Sequence, residues 1–569
     1  MDRFRESLVR CVGWVDRRVR GLRERFRGFR ERLGDGAWRV IAPAVLVVVL
    51  LPFAIPLLIK ELNEPLFGDT AMMQYTAWGI RHGLKLYKDT GSTDGPFIHF
   101  TQAIIQAFLG RSDFALRVGD IVLQITGSAL MGAMLAPRRG LTLLARRLSV
   151  AAWAVTGVVV WLSYYLFLSW AATTNREAFY SVVGCAGMVA LYVSGTFPRR
   201  MASLLAFAGG FALTSMCFGK PTGIVFPCTG ALALLLRDPE GLETHRLRIR
   251  MALYGAAACV AGFVGALLLF GSLRGYFFWC LELPMVGNKF VWRMDWLKLV
   301  YLEHGDVRMI ALLSLVVGGA AIAWGMLPAR AVGFVIAPLL HWLSFCAQAR
   351  GFVHQSVPVV ATAHVLALVL FANLWERGGD ERLYGVLASI MLVLIGYHGL
   401  QNLEASPFKW DGNPADWGKA SDRFCDPEKR AGEFIKKHTS PDDRVFAYTV
   451  SPRGDNAAII LFYAERRTAS PFHYSPWLDP IELLPQSEIQ PDARERAALE
   501  EMQRKTRDIA CKSVMSNKPP AAIAYVSLDR MVAVCPPVKE MLENDYYQAD
   551  VVEDIHIFLR KSNQPAVGQ

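Results

Sequence analysis

Residues 251–270 read MALYGAAACVAGFVGALLLF, a run without one charged side chain. A helix needs roughly 20 such residues to cross the hydrocarbon of a bilayer. A helix on the surface of a soluble domain would break that run with a polar face. Moving outward from it, Val40–Ile59, Ala151–Trp170 and Val353–Trp375 have the same character. The chain of 569 residues is 53% hydrophobic, with a mean hydropathy of +0.27. These values exclude an ordinary soluble or disordered protein. Apolar runs that recur as far as residue 400 also exclude a lone signal peptide.

The net charge of +11 matters less than where it lies. Arginines crowd residues 3–32, just before the first apolar run, and recur at Arg138, Arg139, Arg146, Arg147, Arg199, Arg200, Arg246, Arg248, Arg250, Arg377 and Arg382. Short loops rich in Arg stay cytoplasmic. About eleven spans of membrane-crossing length can be threaded, near 38–59, 114–136, 148–170, 176–195, 201–218, 222–237, 250–271, 308–326, 330–347, 355–375 and 383–401. With the N-terminus inside, this threading puts every Arg cluster on the cytoplasmic side, and its odd parity puts residues 402–569 outside. Within 1–37, Phe4, Leu8, Val15, Val19, Leu22, Phe26, Phe29 and Leu33 recur at helical spacing between arginines. That stripe suits a helix lying on an anionic leaflet better than a nucleic-acid arm, and no nucleic-acid partner is expected.

The expected fold is therefore mostly α. A polytopic helical membrane domain, 38–401, carries external loops at 60–113 and 272–307. A linker at 402–420 joins it to a small soluble α/β domain, 421–569. In that last region helical spacing at Pro427–Lys437, Asn456–Tyr463 and Asp492–Ala510 alternates with strand-like Arg444–Tyr448, Ala521–Val526 and Ile555–Leu559. Cys425, Cys511 and Cys535 fall in it, where one disulfide is chemically allowed, and the sequence does not choose the pair. The cysteines in or beside the spans read as packing residues, and no CxxC or His/Cys metal spacing occurs.

Polar chemistry collects in the external loops. Asp69 follows the first span within Gly68-Asp-Thr-Ala-Met-Met-Gln-Tyr75, where it either caps the next helix or acts chemically. The turn Gly83-Leu-Lys-Leu-Tyr-Lys-Asp89 supplies Lys88 and Asp89, and Asp94-Gly-Pro-Phe leads into the next apolar stretch. Later turns carry Arg176 and Glu177, Lys220, and Arg350 with His354, all on the face of Asp69. Each alone is an ordinary solvated turn with a snorkelling base. Lys88, Arg176, Lys220 and Arg350 converging on one face could neutralise a phosphate. Gly219-Lys-Pro-Thr lacks the strand and spacing of a nucleotide loop.

Taken together these motifs resemble the glycosyltransferase C superfamily, in particular bacterial relatives of the protein O-mannosyltransferases and of the lipid A aminoarabinose transferase. The resemblance rests on Asp69 after the first span, Gly83 to Asp89, Gly95-Pro96, Asn175 with Glu177, Gly210 with Lys220, and Gly351-Phe352 with His354. In the exported region it rests on Phe434-Ile435, Thr439, Pro441 to Phe446 and Glu465-Arg466-Arg467-Thr-Ala-Ser470. It covers about residues 38–475. Thr70 stands where many relatives carry Glu, so Asp89 or Glu177 would take up any work of that residue.

The resemblance implies a glycosyltransferase of a bacterial inner membrane. It would move a hexosyl or pentosyl group from a polyprenyl-phosphate donor to an envelope glycan, lipid or protein. Asp69 would be the base of an inverting displacement. Lys88, Asp89, Arg176, Glu177, Lys220, Arg350 and His354 would hold substrate and leaving phosphate. No cofactor or metal is expected. Two other readings fit the architecture. A transporter would call for inverted repeats and broken mid-membrane helices, and the span interiors are nearly free of acids, with Asp120 the main exception. A scaffold would keep the fold without the chemistry.

Overall fold

A computed structural model describes residues 55, 58–59, 61–62, 68–137, 142–166, 174–236, 242–287, 290, 293–301, 305–350, 352–377, 426–449, 456–473, 477–516 and 520–563. The basic segment 1–37, nearly all of 38–59, the span expected at 383–401, the linker 402–420 and Cys425 lie outside the described residues.

Among the described residues eight helices are long and apolar enough to cross a membrane, which makes the chain a polytopic helical membrane protein. They are carried by α3 (Asp113–Leu135), α4 (Leu143–Tyr165), α5 (Arg176–Ser194), α6 (Arg199–Cys217), α8 (Leu242–Phe270), α9 (Gly305–Ala323), α10 (Val332–Gln348) and α11 (Val357–Arg377). Ahead of them stand α1 (Gly68–Arg81) and α2 (Pro96–Leu109), and α7 (Val225–Leu235) is a shorter apolar helix where a span was expected at 222–237. Helix α5 sits in the middle, with 89% of its apolar window buried in protein, while α8 on the rim buries only 17% and leaves the rest for lipid. Close helix contact without a hydrophobic driving force needs small residues. At Gly210 a Cβ would lie 2.1 Å from the carbonyl oxygen of Ala252, and at Gly255 one would lie 2.0 Å from that of Phe207, so α6 and α8 touch backbone to backbone. Arg248, read from the sequence as a topological charge, is buried and donates to Ser194 Oγ (2.8 Å) and Leu191 O (3.2 Å) at the C-terminal end of α5. There it meets the negative end of that helix.

The second domain runs α12 (Asp426–His438), β1 (Arg444–Tyr448), α13 (Asn456–Ala464), β2 (Arg467–Thr468), α14 (Ala493–Val514), β3 (Ala522–Tyr525), α15 (Leu528–Val534), α16 (Pro537–Asp545), β4 (Tyr546–Val552) and β5 (Ile555–Arg560). The sheet order is β2-β1-β3-β5-β4. β1 pairs parallel with β2 and β3, and β5 pairs antiparallel with β3 and β4. β1 and β3 are apolar on both faces, as strands covered on both sides must be. Val445, Ala447, Ala522 and Ala524 face α12 and α13, while Phe446, Tyr448, Ile523 and Tyr525 join the core with Met502 and Val514 of α14. Cys511 on α14 is bonded to Cys535.

The two domains share their cores. Met73, Tyr75, Trp78, Ile98 and Leu116 pack in the same cluster as one face of the sheet. Every residue from Ala71 to Trp78 is buried, so α1 is enclosed between the helical bundle and the C-terminal α/β domain. The Tyr75 hydroxyl donates to Arg466 O (3.1 Å) and accepts from Thr468 N (2.7 Å), which ties α1 to β2. Arg111 pairs with Glu465, and Tyr463 donates to Asp113 at the start of α3.

Candidate active site

Five of the side chains singled out from the sequence meet at one end of the bundle. Asp69 is the second residue of α1, inside the first turn rather than at its cap. Arg176 and Glu177 open α5, Lys220 ends the turn after α6, and His354 stands in the turn before α11. Acids in first turns are favoured by the positive helix ends. Arg176 Nη1 lies 2.5 Å from Asp94 Oδ1 and 3.4 Å from Asp69 Oδ2, and its Nε lies 3.3 Å from Glu177 Oε1. Lys220 Nζ is 2.9 Å from the same Glu177 oxygen. His354 stacks on Phe352 and lies within electrostatic reach of Glu177 and Asp69. Three carboxylates thus share two cations. Burial pulls the Lys220 ammonium down, and Glu177 pulls it back up.

Asp94 is the member not expected from the sequence. The readable signal was its place directly before Gly95-Pro96. The Gly95 amide donates to Gly219 O (3.0 Å), and Phe97 N donates to Phe218 O (3.0 Å), which joins the Asp94 turn to the Lys220 turn. A Cβ on residue 95 would lie 1.9 Å from Phe218 O, so only glycine permits that approach. Gly95→Ala should separate the two turns and cut activity about tenfold or more, measured beside a thermal unfolding curve. Burial pushes the Asp94 carboxyl up to about 6, opposed by Arg176 and reinforced by Asp69 and Glu177. An acid raised in the folded state costs stability above its folded value, and that cost is relieved as pH falls from about 6 towards its ordinary range.

Lys88 and Asp89 stand on the turn after α1, and Arg350 stands just past α10. Lys88 is exposed on its turn, because left-handed Tyr87 (φ 64°) sends its own ring inward and the next residue out. Asp89 Oδ2 accepts from Lys85 N (2.8 Å) and closes that turn. Arg350 is half-buried, directly after the left-handed Ala349 that ends α10. Among the described residues, no three His, Cys, Asp or Glu side chains are grouped to hold a metal ion.

Asp120, the acid within a span, serves the site from behind. Its Oδ2 accepts from the Tyr165 hydroxyl and from Thr174 N (3.1 Å), and its Oδ1 accepts from Gln124 Nε2 (2.9 Å). Trp161 Nε1 donates to Gln124 Oε1 (2.7 Å). This network fixes the strained Thr174 (φ 54°), two residues before Arg176. Asp120→Leu would strand buried donors. The expected cost is about 2–4 kcal/mol in unfolding, with a loss of activity because Arg176 and Glu177 shift.

No protein-family model and no curated protein matches the chain in sequence. Among solved structures it resembles ArnT from Cupriavidus metallidurans in the apo state, at TM-score 0.49 and 13% identity over 91% of this chain and 98% of that one. The chain is similar to ArnT along nearly its whole length. The ArnT structure bound to undecaprenyl phosphate gives 0.46 and 12%, over 92% and 99% of the two chains. The arabinofuranosyltransferase AftD from Mycobacteria gives 0.39 and 12%, with 92% of this chain matched to 40% of that one. Likeness at this level leaves the chemistry to be read from the cluster's own residues.

Proposed function

We propose that the protein is an integral-membrane glycosyltransferase that uses a polyprenyl-phosphate sugar. The observation that carries this reading is the position of Asp69. Its side chain is 24% exposed, whereas those of Asp94 and Glu177 are 3% and 1% exposed. It is therefore the carboxylate of the cluster best placed to meet a second substrate. Arg176 stands beside it and Lys220 beside Glu177, at the ends of spans, the level at which a lipid phosphate lies while its chain stays in hydrocarbon.

The acceptor hydroxyl oxygen bonds to the anomeric carbon as the bond from that carbon to the phosphate oxygen breaks. Asp69 takes the hydroxyl proton, and the electron pair leaves on the phosphate. Lys220 and Arg176 stabilise that developing charge, so the step needs no metal. One displacement inverts the anomeric centre. The sequence motifs of the glycosyltransferase C superfamily support the same reading, and the Cys511–Cys535 bond supports a position outside the cytoplasm for the exported domain. Asp120, the main acid inside a span, accepts from Thr174 N (3.1 Å) and so has a structural partner.

The test uses purified protein in lipid vesicles with a panel of radiolabelled polyprenyl-phosphate hexoses and pentoses and envelope glycan, lipid and protein acceptors. Covalent label on an acceptor supports the transferase. Label that crosses the vesicle unchanged, with no covalent product, supports transport instead.

A further inference from the structure

Two carboxylates compete for one guanidinium nitrogen, and they do so unequally. Asp94 Oδ1 lies 2.5 Å from Arg176 Nη1, while Asp69 Oδ2 lies 3.4 Å from the same atom. The backbone around Asp94 is fixed from several sides. The Tyr87 hydroxyl donates to Asp94 O (2.5 Å), Cys280 Sγ donates to the same oxygen (3.3 Å), and Asp94 N donates to Ser92 Oγ (3.1 Å). Cys280 belongs to a π-helical turn, Phe278–Glu282, a local form found often at functional sites. In the same turn, Trp279 fills the space beside Gly91, where a Cβ would lie 2.0 Å from its ring. Asp94 Oδ2 is buried and has no hydrogen-bond partner among the described residues. A buried, half-satisfied carboxylate with its main chain held this firmly is costly, and a structural ion pair alone would not call for it.

We infer that Asp94 is a positioning residue for the transfer step, holding the charge of Arg176 away from Asp69 so that Asp69 stays available for the acceptor proton. The inference rests on the proposed function and extends it to a residue that does not touch substrate. Removing Asp94 has two effects of one sign. It frees Arg176 to pair closely with Asp69, and it takes away a like charge from the same pocket. Both strengthen the hold of Arg176 on the Asp69 carboxylate at the expense of the acceptor proton. The charged and titratable groups around Asp94 are Asp69 on α1, Tyr87, His99 on α2, Arg176 and Glu177 on α5, Lys220, and Cys280. Of these, Arg176 makes the only ion pair to Asp94 among the described residues.

The experiment is a pH–rate profile, under donor saturation, of the wild type, Asp94→Asn and Asp94→Glu in lipid. Asp94→Asn is expected to lose about ten- to a hundredfold in kcat with little change in donor KM. The acid limb of its profile should move to lower pH by about one unit. Asp94→Glu should restore the position of that limb. A lower kcat with the acid limb unmoved makes Asp94 merely structural and overturns the inference, as does undiminished activity. Should Asp94→Asn fail to fold, Tyr87→Phe loosens the main chain that carries the same carboxylate, and an unmoved limb there also overturns it. Asp69→Asn in the same assay separates the two claims. If that variant transfers normally the proposed function fails, whereas if only the Asp94 limb stays put this inference alone fails.

Discussion

Asp69→Asn is expected to lose about 10²- to 10⁴-fold in transfer rate, the range ascribed to a positioned general base. The amide keeps the size of the carboxylate but cannot take the proton of the attacking hydroxyl. Because Arg176 keeps its shorter partner in Asp94 and its contact with Glu177, the variant should fold and bind donor normally. Single-turnover kinetics should therefore show a fall in kcat with KM nearly unchanged. Asp113→Asn is the matched control. Asp113 sits at the start of α3 and accepts from Tyr463 of the C-terminal domain at 3.1 Å, so transfer should persist there.

Arg176→Met should give the second large effect, on rate and stability together. Arg176 faces three carboxylates, and without it the ion pair left in the cluster among the described residues is Lys220 with Glu177. Stripping the cation from a buried ion cluster costs about 3–5 kcal/mol, because its partners remain buried and uncompensated. The fixed charge that stabilises the leaving phosphate goes with it, worth about 10²- to 10³-fold in rate. Arg176→Lys should recover only part of either loss, since an ammonium cannot reach two carboxylates from separate nitrogens as a guanidinium does. The unfolding temperature of Arg176→Met should rise as pH is lowered, because protonation relieves the crowded acids.

The helical spans were legible because lipid leaves little choice. Backbone groups in hydrocarbon must pair within the helix, and side chains must be apolar over the full width, so α3, α5, α8 and α11 announce themselves. The alternation of β1, β3 and β5 with α12, α13 and α14 was readable for a related reason, since central strands are apolar and the intervening helices amphipathic. β4 was not, because Tyr546–Val552 is an edge strand of mixed, partly exposed residues. The enclosure of α1 was hidden as well. Its walls come from β2 and α13, nearly 400 residues away, and only the fold brings them there. At the site, five ionisable residues from four separate turns were visible as polar exceptions to apolar surroundings. Asp94 was not, because its importance comes from Gly95 approaching Phe218 O, a backbone contact that leaves no periodic trace. Lys88 was assigned to the phosphate by its charge, yet the left-handed Tyr87 turns it outward.

The most direct test of a transfer site built on Asp69 is mass-spectrometric detection of the leaving lipid. Purified protein in lipid is mixed with one equivalent of polyprenyl-phosphate sugar and acceptor, wild type beside Asp69→Asn. The account predicts free polyprenyl phosphate in step with an anomerically inverted product for the wild type, and neither for the variant. Release at the same rate from both proteins, or from neither across every donor while both remain folded and bind the lipid, would contradict it.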